Sequence, residues 1–429
     1  MITHAMLALA LATPGISVDN VMDHLQAFQA IANAHGGNRA AGEPGYDASA
    51  AYVATRLQQA GYKVEQQPFT FPFYRELAPP VLVGKKAFPK VVTFMFSASG
   101  DVTAEPRRVG DGCMPSDFEG FEPGKIALVD RGDCTFKVKV VNATRAGAAA
   151  VVVANRAKGV FLGSLESPQR IPVVGVSRAA GEKLAKSPSV RVATSTVSEE
   201  RVTHNVIAQT AAGAADDVLM VGAHLDSVKD GPGINDNGTG SATVLELALR
   251  MAQSKPKRAL RFAFWGAEEE GLLGSTHYVL SLTDEELKRV TGYVNLDMVG
   301  SDNYTFGIYD GDDSARTGAG AGPKGSAEIE RAFQEYFKRK RLPYQDSDFT
   351  GRSDYGPFIA AGIPAGGLFT GAEEHKSEAE AKKFGGKAGQ PQDRCYHRSC
   401  DTLENVNRKA LRVCAEALES AIRRLVRLS

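Results

Sequence analysis

The chain has no net charge: 50 Lys and Arg stand against 50 Asp and Glu in 429 residues. That balance argues against a nucleic-acid partner held by general charge, and against a basic membrane anchor. Long apolar runs are missing as well. None approaches the roughly 18 residues a spanning helix needs, so no membrane span is expected. No internal repeat of about 20–50 residues is found. Cysteine is sparse and its count of five is odd, so two disulfides at most can form and one thiol is left over. What is present is apolar material: 43% of residues are hydrophobic, which permits a packed core and excludes a mainly disordered chain. The length suggests about two to three domains.

The first residues carry a short apolar run, Met6 to Ala12, closing on Ala10-Leu11-Ala12, an A-x-A cleavage pattern. No Lys or Arg precedes it. It reads as the tail of a secretory signal whose basic start is missing. Residues 1–12 are then expected to lie outside any domain, and the protein to work outside the cytoplasm.

Helical spacing follows in Val18, Val21, Leu25, Phe28 and Ala32, and again in Tyr46, Ala50, Val53, Leu57 and Ala60, with Gly61 as a stop. A β-like stretch runs from Lys63 to Phe73. From about Pro79 to Val197 the character changes to short apolar strands (KIALVDRG, AAAVVVANR), Gly turns and a helical Asn142–Ala149, without any acidic or His cluster. This predicts a compact, β-rich inserted domain, with the flanking parts 17–78 and 198–429 forming a second domain. After Thr203, strand and helix alternate. VLMVGAHLDS, ALRFAFWGAEEE and GYVNLDMVGS run as strands into loops. Helices are expected at Thr239–Gln253, Gly271–Leu282, Ser326–Arg341 and Arg408–Leu428, and a mobile Gly/Ala-rich loop at Gly311–Gly325. The fold class expected is α/β, a mainly parallel central sheet flanked by helices. In such folds the site lies beyond the carboxyl ends of the strands.

The polar residues fall where that rule puts a site. His224 and Asp226 end one strand, Glu268, Glu269 and Glu270 the next, Asp297 the next. Asp236 sits in GPGINDNGTG before a helix, and His397 in the late loop CYHRSC. Taken singly, a loop Asp is a cap or turn residue and an EEE run a solvated face. Together, two His and several carboxylates form a ligand set suited to zinc. Five ligands exceed what one tetrahedral zinc with an open position needs, and with one carboxylate shared they fit two metals. Glu268 or Glu269 is placed to take a proton from water. His4, His24, His35, His204, His277 and His375 are left as structural or surface groups.

With these motifs in order, the chain resembles the secreted two-zinc aminopeptidase family, especially the bacterial extracellular leucyl aminopeptidases of Streptomyces type. The resemblance rests on GAHLDS, GPGINDNGTGSA, FWGAEEEGLLGS, VNLDMVGS, GRSDYGPF, GIPAGGLFTGA and GGKAGQPQDRCYHRSCDTLENVN, and covers about Ser17 to Phe71 and Asn205 to near the C-terminus. It implies a zinc-exopeptidase fold and two zinc ions. His224 and Asp297 would hold one, His397 and Glu269 the other, with Asp236 bridging. Glu268 would be the general base acting on a metal-bridged water, and Tyr396 would donate to the oxyanion. Glu268, Asp297 and Arg352 would line the place for the substrate's N-terminal part. Met298, Gly351, Phe369 and Cys395 match a hydrophobic specificity pocket. Asp226 would fix the His224 imidazole, and Asp236-Asn237 is a candidate non-proline cis peptide. The implied substrates are peptides or proteins with a free, apolar N-terminus. No nucleic acid or membrane partner is implied, and a secreted monomer is expected.

The inserted segment is similar to a protease-associated domain through CMPSDFEGF, GKIALVDRGDCTF and ATRAGAAAVVVANR. The resemblance pairs Cys395 with Cys400 and Cys113 with Cys134, leaving Cys414 as a buried thiol. Some relatives bind calcium near both termini. Here the matching positions are near Gly15 and at Arg412 and Glu416, and an Arg in place of an acidic ligand argues against that site. Glu270 is given no role. Competing readings are a carboxypeptidase or dipeptidase on the same zincs, a non-catalytic binding relative, and a one-zinc glutaminyl cyclase. The intact ligand set and the largely apolar inferred pocket disfavour them.

Overall fold

A computed structural model describes residues 15–318 and 320–427. The expected signal segment, residues 1–12, lies outside the described residues. In chain order the elements are α1 (Val18–Ala34), α2 (Pro44–Gln59), β1 (Val64–Val83), β2 (Val92–Thr93), β3 (Gly100–Ala104), β4 (Pro106–Gly110), β5 (Ile126–Asp130), α3 (Phe136–Arg145), β6 (Ala150–Ala154), β7 (Val173–Val176), α4 (Arg178–Leu184), β8 (Val190–Gln209) and β9 (Ala214–His224). Then come α5 (Gly240–Met251), β10 (Arg258–Trp265), α6 (Leu273–Ser281), α7 (Asp284–Arg289), β11 (Val290–Asp297), β12 (Gly307–Tyr309), α8 (Ser326–Lys340), β13 (Gln345–Ser347), α9 (Tyr355–Ala360), β14 (Ala365–Phe369), α10 (Glu378–Phe384) and α11 (Arg408–Leu425). The chain forms two compact units: the described parts of Met1–Phe69 and Thr203–Ser429 make one, and Thr70–Val202 the other.

In the first unit the strands lie in the order β1-β8-β10-β9-β11-β14-β12-β13. The central block β10-β9-β11-β14 is parallel, while β8 and β12 join it antiparallel. The sheet is therefore mixed, with a parallel heart. Apolar residues of β9 alternate between two cores: Leu219, Val221 and Ala223 face one, Val218 and Met220 the other. Helices α1, α2, α5, α8 and α11 close the first core, α6 and α9 the second. Burial on both faces explains why these strands read as continuous apolar runs rather than alternating ones.

The second unit holds the sheet β2-β7-β6-β5-β4, parallel except at β2, with a core on each face. Cys113 and Cys134 are bonded within it. Its helix α3 begins six residues before the expected Asn142, at Phe136, because the Thr135 hydroxyl accepts from Val138 N and caps it. It ends before Gly147, whose φ of 82° leaves the helical region.

Candidate metal centre

The sheet delivers each group of the cluster. His224 is the last residue of β9 and Asp297 the last of β11, a neighbouring strand. Glu268 and Glu269 lie in the turn after β10. Asp236 lies in the irregular loop entering α5, where the Asp236-Asn237 bond is cis. His397 sits in the loop closed by the Cys395–Cys400 disulfide. Three non-glycine residues at the site hold left-handed backbone: Ala267 (φ 54°), Met298 (φ 47°) and His397 (φ 57°). Each costs on the order of 1–3 kcal/mol, and here the strain flanks Glu268 and Asp297 and falls on His397 itself.

The geometry converges on two points. His224 Nε2 is 3.3 Å from Asp236 Oδ1 and 3.5 Å from Asp297 Oδ1. His397 Nε2 is 3.2 Å from Asp236 Oδ2 and 3.1 Å from Glu269 Oε2. These separations match the edge of about 3.3 Å of a tetrahedron with metal–ligand bonds of about 2.0–2.1 Å. Asp236 Oδ2, Glu269 Oε1 and Asp297 Oδ1 are buried without a hydrogen-bond partner. The approach of His397 to Asp236 Oδ2 is close but lacks hydrogen-bond geometry, as expected of two ligands facing a common point. Orphaned buried oxygens of this kind fit a divalent cation.

The charges agree. Burial pushes the Glu268 carboxyl well above the usual range, against His224 and with help from Asp354, Glu269 and Asp297. Burial and then the Asp236 charge raise Glu269 to about 7. Burial opposes the charged form of His397, but Asp236 and Glu269 overcome it and raise the imidazole to about 10. The cluster demands positive charge, and a divalent ion supplies it at fixed points.

A buried frame holds these ligands. The Asp226 carboxylate accepts from Glu268 N (3.2 Å) and Glu269 N (3.3 Å), so it anchors the turn after β10. Its carboxylate is 3.7 Å from His224 Nδ1, while the backbone carbonyl of Asp226 is nearer at 3.3 Å. The Asp401 carboxylate accepts from Asn235 N (2.8 Å) and Asp236 N (3.0 Å). The fully buried Arg39 guanidinium donates to the carbonyls of Leu225, Pro232 and Gly233, tying the loop after His224 to the loop before Asp236. Sequence reading missed Asp401 and Arg39. Asp401 stands inside a quoted motif and Arg39 within the N-terminal stretch the resemblance covers, but their partners are 160 or more residues away in the chain.

A cavity of about 360 Å³ opens from the metal cluster and is walled by Met298, Phe369, Tyr309, Arg352 and Tyr396. Polar side chains also line it, among them Gln345, Asp346, Asp348 and Glu380. Gly351 and Cys395 do not line it; Cys395 is buried in its disulfide. Tyr396 stacks on the His397 ring, and its hydroxyl accepts from Arg352 Nη2 (3.2 Å). Burial, then the Asp236 and Glu269 charges, push the Tyr396 phenol up, so it stays a donor. Arg352 is paired with Glu373 (2.9 Å) and Glu374 (3.6 Å). Of the histidines set aside, His24 bonds to Tyr52, His277 stacks on Phe69, and His375 borders the cavity. His4 lies outside the described residues.

Comparison with known proteins shows the family. Residues 205–422 match the sequence profile of Peptidase family M28, and residues 98–184 that of the PA domain. An aminopeptidase of Pseudomonas aeruginosa is 42% identical over 431 residues, spanning 94% of this chain and 80% of its own. Leucine aminopeptidase 2 of Trichophyton rubrum is 39% identical over 416 residues, spanning 95% and 84%. Among solved structures, the aminopeptidase from Aneurinibacillus sp. strain AM-1 superposes with a TM-score of 0.68 at 30% identity, covering 95% of this chain and 94% of its own. A zinc aminopeptidase from Bacillus subtilis gives 0.67 at 27%, covering 97% of each.

Proposed function

The chain belongs to peptidase family M28 and is a zinc aminopeptidase, and on that premise we propose that it holds two zinc ions side by side and releases apolar residues from free N-termini. The observation that carries the two-ion reading is Asp236, whose two oxygens face His224 and His397 separately. His224 and Asp297 would hold one ion, His397 and Glu269 the other, with Asp236 shared. The ions, when bound, supply Lewis acidity toward the scissile carbonyl and toward water.

The remaining steps belong to side chains. Glu268 borders the cavity beside the ligands, and burial keeps its carboxyl basic. It takes a proton from the attacking water and returns it to the leaving amine. Tyr396 accepts from Arg352 and so keeps its own hydrogen for the carbonyl oxygen as charge builds there. Glu268, Asp297 and Arg352 border the place for the substrate's N-terminal part, and the two carboxylates attract the free amine. Met298 and Phe369 line the cavity and contact the side chain released, while Gly351 and Cys395 lie outside its lining. A carboxypeptidase pocket would need a cation for the C-terminal carboxylate, and Arg352 is already paired with glutamates.

Leucyl-anilide hydrolysis with and without chelator tests this reading, alongside zinc content, N-blocked leucyl peptides and lysyl-anilide. Zinc-restored activity, two ions per chain, no cleavage of blocked peptides and a preference for leucyl are expected. One ion per chain would remove Asp236 from the bridge, and faster lysyl cleavage would show that the polar lining of the cavity decides specificity. The two disulfides support an extracellular setting. No helix among the described residues is long and apolar enough to cross a membrane. A monomer is proposed, to be read from solution mass.

A further inference from the structure

A fully buried lysine in the second unit stands against a disulfide. Lys139 lies on α3 and is closed off from solvent. Its ammonium donates to the Asp111 carbonyl (2.5 Å) and to Cys113 Sγ (3.4 Å), and neither acceptor is charged. A disulfide sulfur is a weak acceptor, and a buried cation with neutral partners is costly. Burial lowers the Lys139 pKa, with Asp111 and Asp133 opposing. The carboxylates nearby are engaged elsewhere. Arg156 Nη2 holds Asp111 (2.6 Å) and Asp133 (2.5 Å), and Arg108 holds Asp130 (2.8 Å). Cys113 and Cys134 are only half-buried, so a small thiol can reach their bond.

Other contacts hold the two cysteines together without that bond. Asp111 lies two residues before Cys113, Asp133 directly precedes Cys134, and the one guanidinium of Arg156 joins them. Asn142 Nδ2 donates to the carbonyls of Gly112 (3.2 Å) and Cys113 (3.0 Å), tying that segment to α3. We propose that Cys113–Cys134 is a reversible exchange site for small thiols and dithiols, with Cys113 as the leaving sulfur beside Lys139. An incoming thiol, its proton lost to solvent, attacks Cys134 Sγ and bonds to it. The Cys113–Cys134 bond breaks, and its electron pair leaves on Cys113 as a thiolate, which pairs with the Lys139 ammonium. A monothiol stops there as a mixed disulfide. The second thiol of a dithiol displaces the Cys134 sulfur, which takes that thiol's proton. The dithiol is oxidised by two electrons and the cystine reduced by two. A thiol of lower pKa leaves faster, and an adjacent ammonium lowers it. No step involves the metal centre.

The test is equilibration of the full chain in dithiothreitol redox buffers, alkylation of the free thiols and mass analysis of each cysteine. Cys395–Cys400 serves as the internal reference. Lys139→Met keeps an unbranched side chain and removes the charge. It is expected to shift the Cys113–Cys134 equilibrium toward the disulfide by about tenfold, or about 30 mV, with Cys395–Cys400 unmoved. A fold merely loosened by the substitution would move the pair the other way, toward thiols. No movement, or movement toward thiols, overturns the proposal. Two wild-type readouts need no variant. After brief exposure to glutathione, quenched by alkylation, the mixed disulfide is expected on Cys134 with Cys113 free. In the reduced protein, iodoacetamide should modify Cys113 with a pH midpoint well below the usual thiol value of about 8.5. Once reductant is removed, the same pair should re-form. Glutathione on Cys113, a midpoint at or above the usual value, a bond that opens only on unfolding, or a pair that stays open also overturns it.

Discussion

Glu268 and Glu269 are adjacent in sequence, but the turn after β10 aims them differently, which is why different parts are proposed for them. Glu269 Oε2 meets His397 at 3.1 Å, while the nearest imidazole to Glu268 is His224 at 3.9 Å. Glu268→Gln keeps the shape and loses the base. It is expected to lower kcat by about 10²–10⁴-fold with zinc content unchanged. Metal analysis beside the rate checks this, and a joint loss of zinc and rate would make Glu268 a ligand instead. The histidines give a pH prediction. His397 without metal keeps its proton up to about 10, whereas zinc takes the neutral imidazole. At pH 7 zinc must therefore displace a proton. Apparent affinity should rise as pH rises toward about 10, and fall in acid. Calorimetry in two buffers of different ionisation enthalpy reads the released proton, and identical heats in both would contradict it.

Among the elements, α11 shows how periodicity becomes packing. Leu411, Cys414, Leu418, Ile422 and Leu425 were expected on one face from their spacing alone, and the first four are buried in the main core, with Leu425 packed at its edge. The helix ends at Leu425, short of the expected Leu428. Leu418→Ala removes a fully buried side chain and is expected to cost roughly 2–5 kcal/mol. A denaturant midpoint close to wild type would place α11 outside the cooperative core. The same face holds Cys414 as a buried free thiol. The strands were legible for a different reason: over their central and C-terminal parts β9, β10 and β11 are buried on both faces, so their residue choice there is mostly apolar. Helix α3 was misplaced because its start depends on one hydroxyl cap at Thr135, a weaker signal than a run of apolar residues.

For the whole molecule, the catalytic unit is assembled from two stretches of chain with Thr70–Val202 between them. The metal cluster draws on three strand ends, a loop before α5 and a loop near the C-terminus, so binding there joins distant parts of one unit. Zinc that binds only the folded state should stabilise it by about 2.7 kcal/mol per site at 100 times its dissociation constant. Chelation should lower the melting temperature of this unit and added zinc should restore it. A melting temperature indifferent to chelator, with zinc shown to be removed, would mean the site is held by the buried frame alone. That frame is substantial: Asp226, Asp401 and Arg39 bond to the backbone around His224, Asp236 and Glu268.

The sequence by itself determined the class of fold, the single insertion and the set of His and carboxylate candidates that the fold brings together. Those follow from local spacing and from motifs in which strand, turn and ligand are contiguous. Tertiary structure alone decided which oxygen of Asp297 faces His224 and how Asp226 divides its bonds. It also decided that the sheet turns antiparallel at β8 and β12, and that the cavity lined by Met298 and Phe369 is lined by polar groups as well. Hydrogen-bond direction, strand pairing and cavity shape depend on residues far apart in the chain, and these meet only when the chain is folded.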